Sequence, residues 1–168
     1  MIGGKTSARV TVMEVSPRDG LQNEDLVFSP DQKLKLIKAA ISAGLERIEV
    51  VSFVNPKKVP QMANAETVCA GLTDIHEAKL TGLVLNERGY QRLRDTCLHE
   101  AGIVISSTDT FGIRNQGMDL VRGLDFAKSV LRDGQQTRFP VQVTFAVAFG
   151  CPFENSVPEA RILRMVEE

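Results

Sequence analysis

What most constrains this chain is a regular alternation of strand-like and helix-like segments. Arg9 to Val15 (RVTVMEV) is β-branched and alternating, which reads as a first strand, followed by a long loop through Gly20 and Asn23. Ser29-Pro30-Asp31-Gln32 then opens a helix. Ser supplies the N-cap, Pro suits the first helical position and Gln32 completes a capping box. Leu34, Ile37, Ala40 and Ile41 share one helical face, and Gly44 suits the turn that ends it. Four further strands follow at Arg47–Ser52, Leu80–Leu85, Gly102–Ile105 (running on to about Ser107) and Val141–Ala148. Between them lie helical stretches at Asn64–Leu72, at Glu87–Cys97, and from Leu120 through Leu131 to a stop near Gly134. Ser156-Val157-Pro158-Glu159 starts another helix.

Strands about 20–40 residues apart with helices between them are what right-handed parallel crossovers require. The class is therefore α/β, and no linker, charge block or low-complexity stretch divides residues 1–168, so a single domain is expected. Pattern alone fits two architectures, a flavodoxin-like open sheet and part of a closed barrel. Motifs have to separate them.

The first strand runs into Glu14-Val15-Ser16-Pro17-Arg18-Asp19-Gly20-Leu21-Gln22-Asn23-Glu24. A carboxylate there can hold a divalent cation, and the adjacent guanidinium can neutralise a developing oxyanion. Taken alone, Arg18-Asp19 reads more readily as a plain ion pair at a strand end. Glu49, between Ile48 and Val50 in an otherwise apolar strand, is costly to bury unless paired, and Arg18 is a suitable partner. The alternative, a solvent-facing Glu, is rare on parallel barrel strands.

The whole string resembles the signature of HMG-CoA lyases, members of the Asp-Arg-Glu superfamily of TIM-barrel metallolyases. The likeness continues through Ile48-Glu49-Val50-Val51-Ser52-Phe53-Val54-Asn55-Pro56-Lys57-Lys58-Val59-Pro60-Gln61-Met62 and returns at Phe149-Gly150-Cys151-Pro152-Phe153-Glu154. The resemblance implies a (β/α)8 barrel. Such a barrel takes ~250 residues, so the expectation is a partial one: about five βα units, the N-terminal portion of one domain, lacking the C-terminal strands. The implied reaction is a retro-Claisen cleavage of 3-hydroxy-3-methylglutaryl-CoA to acetyl-CoA and acetoacetate, a step of leucine catabolism and ketone-body formation. Carried over residue by residue, Arg18 and Glu49 are the catalytic residues and Asp19 is a ligand to Mg²⁺ or Mn²⁺. Gln22, Ser52 and Phe53 are expected at the substrate, with an acyl-CoA as the partner.

Other residues read more plainly. Lys57 and Lys58 suit a solvated loop better than CoA phosphates, Cys151 a small buried residue, and His76 and His99 match no metal motif. Gly3-Gly4-Lys5-Thr6 precedes the first strand instead of following one, so it is no phosphate loop. Ser16 stands where the family has Gly. Ser106-Ser107-Thr108-Asp109-Thr110-Phe111 and Arg114-Asn115-Gln116 depart from the family's Ser-Ala-Ser-Glu and Asn-x-Asn, which leaves room for a different acyl group.

The family's later His-x-His ligands and Gly-rich cysteine loop do not occur in this sequence. The 168-residue chain alone is therefore expected to be inactive or nearly so, and a non-catalytic remnant is a further alternative. Unpaired sheet edges point to self-association or a homodimer. A net charge of −1 offers no basic field for nucleic acid or anionic membrane, and no apolar run reaches the ~20 residues of a bilayer span. Three dispersed cysteines suggest reduced thiols, and the N-terminus has no apolar signal core, so the expected compartment is the cytoplasm.

Overall fold

The computed structural model describes residues 10–168. Its sheet has four parallel strands, β1 (Arg47–Ser52), β2 (Lys79–Val84), β3 (Glu100–Ser106) and β4 (Val141–Ala146), hydrogen-bonded in the order β1-β2-β3-β4. Glu14 adds a single parallel bridge to Ile48 on the far side of β1. Pairing thus follows chain order without reversal. An open flavodoxin-like sheet would reverse at its second strand, whereas a barrel wall does not. The fold is α/β, a partial TIM barrel.

The expected first strand is reduced to that bridge. Arg9 lies outside the described residues, and 10–13 form no ladder. Val10 and Val12 are 82% and 64% exposed, so their β-branched side chains have no surface to pack against. Strand propensity is largely packing on a pleated face, and without it the preference is weak.

Helix α1 (Pro30–Ser42) begins as its sequence signals: Ser29 Oγ accepts from the Gln32 amide at 3.3 Å and Gln32 Oε1 from the Ser29 amide at 2.9 Å. Gly44, at φ 89°, turns the chain into β1. Helices α2 (Ala65–Ala70) and α3 (Glu87–Arg94) are shorter than expected, while α4 (Asp109–Gln116) occupies a stretch for which no helix is expected. Helix α5 (Leu120–Thr137) passes the stop expected at Gly134. There a Cβ would sit 2.7 Å from Phe139 O and Val141 Cγ2, so this glycine serves close packing and not termination. Helix α6 (Glu159–Glu167) closes the described chain, and none of these helices is long and apolar enough to cross a membrane.

The two faces of the sheet differ sharply. Ile48, Val50, Leu80, Ile103 and Ile105 are all at most 1% exposed and belong to the core between sheet and helices. Alternate positions carry polar groups toward the barrel interior. Arg47 Nη2 donates to Glu100 Oε2 (2.6 Å) and Gln142 Oε1 (2.7 Å), Thr81 Oγ1 to Glu100 Oε2 (2.8 Å), and Lys79 Nζ pairs with Glu100 Oε1 (3.0 Å). Burial pushes the Glu100 carboxyl up, but the bonds from Arg47, Thr81 and Lys79 outweigh it and hold it below the ordinary range.

Candidate active site

Between the Glu14 bridge and α1, residues Ser16–Gly20 form a single π-helical turn where sequence suggested only a loop. Pro17 is buried, and the amides of Arg18 and Asp19 both donate to Val15 O, at 3.1 and 2.7 Å. Ser16 also donates its amide to Glu14 Oε1 (2.6 Å), which holds the Glu14 carboxyl below its usual range. This packing fixes the direction in which Arg18 leaves the backbone.

Arg18 reaches across to β1. Its Nε donates to Glu49 Oε1 and its Nη1 to Asp19 Oδ1 at 2.7 Å, so one guanidinium joins both carboxylates. Among the described residues Nη2 makes no bond. The side chains are 15% exposed for Arg18, 9% for Glu49 and 52% for Asp19, so the pair is enclosed and Asp19 opens to solvent. Burial pushes the Glu49 carboxyl above the ordinary range. Arg18 opposes this by charge and hydrogen bond, while Asp19 adds to it.

The inner face leaves room for this carboxylate. A Cβ on Gly102 of β3 would lie 3.3 Å from Glu49 Oε2 and 3.4 Å from Thr81 Cγ2, tighter than ordinary contact. Gly102 thus completes the recess, and with the Glu100 cluster it is a feature that reading the strands singly missed. A polar residue at alternate positions of otherwise apolar strands was the available signal.

The other candidates do not join the trio directly. Gln22 is half-buried, with an Oε1 atom that is buried and finds no partner among the described residues. Ser52 is fully buried and its Oγ is likewise unpaired there. The Phe53 ring lies on the helix side against the Gly82 position with Leu93 and Leu98, and the Arg92 guanidinium stacks 5.5 Å above it. Cys151 is buried as expected, its sulfur accepting from Thr108 Oγ1 at 3.2 Å. His99 is spent as an acceptor, its Nδ1 taking the Leu80 amide at 3.0 Å.

For a cation, the expectation is Asp19 as one ligand, with the remaining ligands missing from this chain. No group of three or more His, Cys, Asp or Glu side chains able to hold a metal occurs among the described residues. Asp19 is one half-exposed carboxylate already engaged by Arg18, whereas Mg²⁺ takes about six oxygen ligands. These residues do not make a cation site by themselves.

Comparison with known proteins gives a consistent result. The family model described as HMGL-like matches residues 9–168. A hydroxymethylglutaryl-CoA lyase of Bacillus subtilis is 32% identical over 159 residues, covering 95% of this chain and 53% of that protein. The (R)-citramalyl-CoA lyase of Chloroflexus aurantiacus is 34% identical over 172 residues, covering 94% of this chain and 53% of that protein. Among solved structures, the Bacillus subtilis HMG-CoA lyase superposes with a TM-score of 0.89 at 32% identity, covering 95% of this chain and 53% of that one. An HMG-CoA lyase of Acinetobacter baumannii, solved with coenzyme A and 3-methylmalate, superposes with a TM-score of 0.87 at 33% identity, covering 94% and 51%. The chain spans about half the length of the relatives it matches.

Proposed function

This chain belongs to the HMGL-like family, and from that premise we propose that its chemistry is carbon–carbon bond cleavage in a 3-hydroxyacyl-CoA. The substrate favoured is 3-hydroxy-3-methylglutaryl-CoA. Its tertiary hydroxyl loses a proton, the adjacent carbon–carbon bond breaks, acetoacetate leaves as the ketone, and the acetyl-CoA enolate takes up a proton.

The observation that carries this reading is the Arg18–Glu49 pair. Glu49 holds the guanidinium by Nε, which leaves Nη2 free among the described residues to face an oxygen that gains negative charge. A preorganised donor in an enclosed place stabilises such charge far better than one in water. Glu49 acts here by fixing Arg18 and is already engaged, so it is not assigned as the base. Gln22 and Ser52 carry buried oxygens without partners, which suits them to a substrate's polar groups. Phe53 bounds the same strand end. Asp19 is proposed as one ligand of Mg²⁺ or Mn²⁺.

A second reading, a lyase for a different acyl group, is favoured by a specific observation. The citramalyl-CoA lyase relative matches at 34% identity, beside 32% for the hydroxymethylglutaryl-CoA lyase. Because the sequence holds no His-x-His pair to complete a site with Asp19, the 168-residue chain alone is proposed to turn over little, and the open edge of β4 is proposed to favour self-association. The test is product release from hydroxymethylglutaryl-CoA and citramalyl-CoA by the purified chain with Mg²⁺ or Mn²⁺, beside its sedimentation profile. Robust metal-dependent turnover would refute the proposed inactivity, and whichever substrate is cleaved identifies the acyl group.

A further inference from the structure

Lys33 is the largest of the fully buried side chains, at 1% exposure, and it belongs to no ion pair among the described residues. It sits in the first turn of α1. Its Nζ donates to Gln61 O and to Asn64 Oδ1, the latter at 2.7 Å. Those two residues then reach the segment that follows the Arg18-Asp19 turn. Gln61 Nε2 donates to Glu24 O at 2.9 Å and Asn64 Nδ2 to Phe28 O at 3.2 Å. Asn23 in that segment donates its Nδ2 to Asp19 O at 2.8 Å.

A buried ammonium facing only neutral acceptors is an expensive filler, since an aliphatic side chain would occupy the space without loss of hydration. What the ammonium supplies is direction. It can only donate, so Asn64 must turn its oxygen inward, which leaves the Asn64 amide nitrogen for Phe28 O. A methionine of similar length would leave both acceptors unpaired and Asn64 free to flip.

We propose that Lys33 is a positioning residue: its charge locks the segments 24–28 and 61–64 onto α1 and so holds the Arg18-Asp19 turn against Glu49. Lys33 touches none of the three site residues and acts through Gln61, Asn64 and Asn23. Burial lowers the Lys33 ammonium from the ordinary lysine value, as expected for a cation without a counter-ion. The purpose of the clamp rests on the reading of Arg18, Asp19 and Glu49 as the site.

The experiment uses the full 168-residue chain without substrate, so a failed lyase assay leaves its result standing. Hydrogen exchange is read peptide by peptide, and the Arg18 Nε–H resonance, identified by its loss in Arg18→Met, reports the bond to Glu49. Lys33→Met is expected to accelerate exchange in 16–28 and 55–64 on the order of tenfold to a hundredfold and to shift the Arg18 signal, with β2 and β3 unchanged. Unaltered exchange with an unshifted signal would overturn the proposal, as would uniform acceleration through every strand. If Lys33→Met does not fold, Gln61→Ala decides. It leaves the lysine in place and cuts only the link to Glu24. Faster exchange confined to 20–28 with a shifted signal supports the clamp, and no change rejects it.

Discussion

Replacing Arg18 by Met leaves the Glu49 carboxyl buried without its partner. The group then has one escape, which is to take a proton. Relative to an ordinary value of 4.5, holding it protonated costs ~1.4 kcal/mol per pH unit, so ~3.4 kcal/mol at pH 7 and ~1.4 kcal/mol at pH 5.5. These are ceilings, because burial already holds Glu49 above 4.5 in the wild-type chain. A carboxyl raised on folding contributes stability that is complete below 4.5 and is lost as pH rises through the folded value. Without Arg18 that folded value rises further, and the loss extends to higher pH. Urea unfolding followed by far-UV circular dichroism, which suits a chain without Trp, gives both curves. The expected result is a deficit in Arg18→Met that grows by up to ~2 kcal/mol between pH 5.5 and pH 7, largely relieved in Arg18→Met/Glu49→Gln. A deficit independent of pH, or no relief in the double variant, would show that Arg18 does not offset the burial of the Glu49 carboxylate.

Two further outcomes follow from the same face of the sheet. Gly102→Val should drive a side chain into Glu49 Oε2, costing ~1–3 kcal/mol in urea unfolding and displacing the Arg18 Nε–H signal; an unshifted signal would mean the recess is not tight. Glu100 is held below the ordinary carboxyl value of 4.5, so its contribution is present above 4.5 and lost as pH falls through the folded value. Glu100→Gln should therefore cost on the order of 2 kcal/mol at neutral pH and flatten the acid limb of the stability profile. An unchanged acid limb would assign that slope to other carboxyls.

Much of this architecture was legible because local signals agreed with the tertiary surroundings. The capping box at Ser29 and Gln32 announced α1, and β-branched runs announced β1 and β4. Glu49 stood out as a lone charge in an apolar strand, and the cost of burying it unpaired already pointed to Arg18, 31 positions earlier, as its partner. The misses have physical causes. Residues 10–13 have strand propensity but no packing partner. Helix α4 contains Gly112, a poor helix former whose missing side chain lets Met118 O approach to 2.4 Å of its Cβ position. Lys33 lies four residues before Ile37, on the apolar stripe itself, but a long lysine at a helix start ordinarily carries its charge out to water. Its burial depends on Gln61 and Asn64, far along the chain.

Arg18, held by Glu49, is proposed to serve a carbon–carbon lyase reaction. A test of this role joins this chain to the part of the Bacillus subtilis relative that the match leaves uncovered, and assays acetyl-CoA and acetoacetate released from 3-hydroxy-3-methylglutaryl-CoA. Cation-dependent cleavage that falls about 10²–10³-fold in Arg18→Met is expected. A folded chimera that cleaves no 3-hydroxyacyl-CoA, or cleaves it equally well without Arg18, would contradict it.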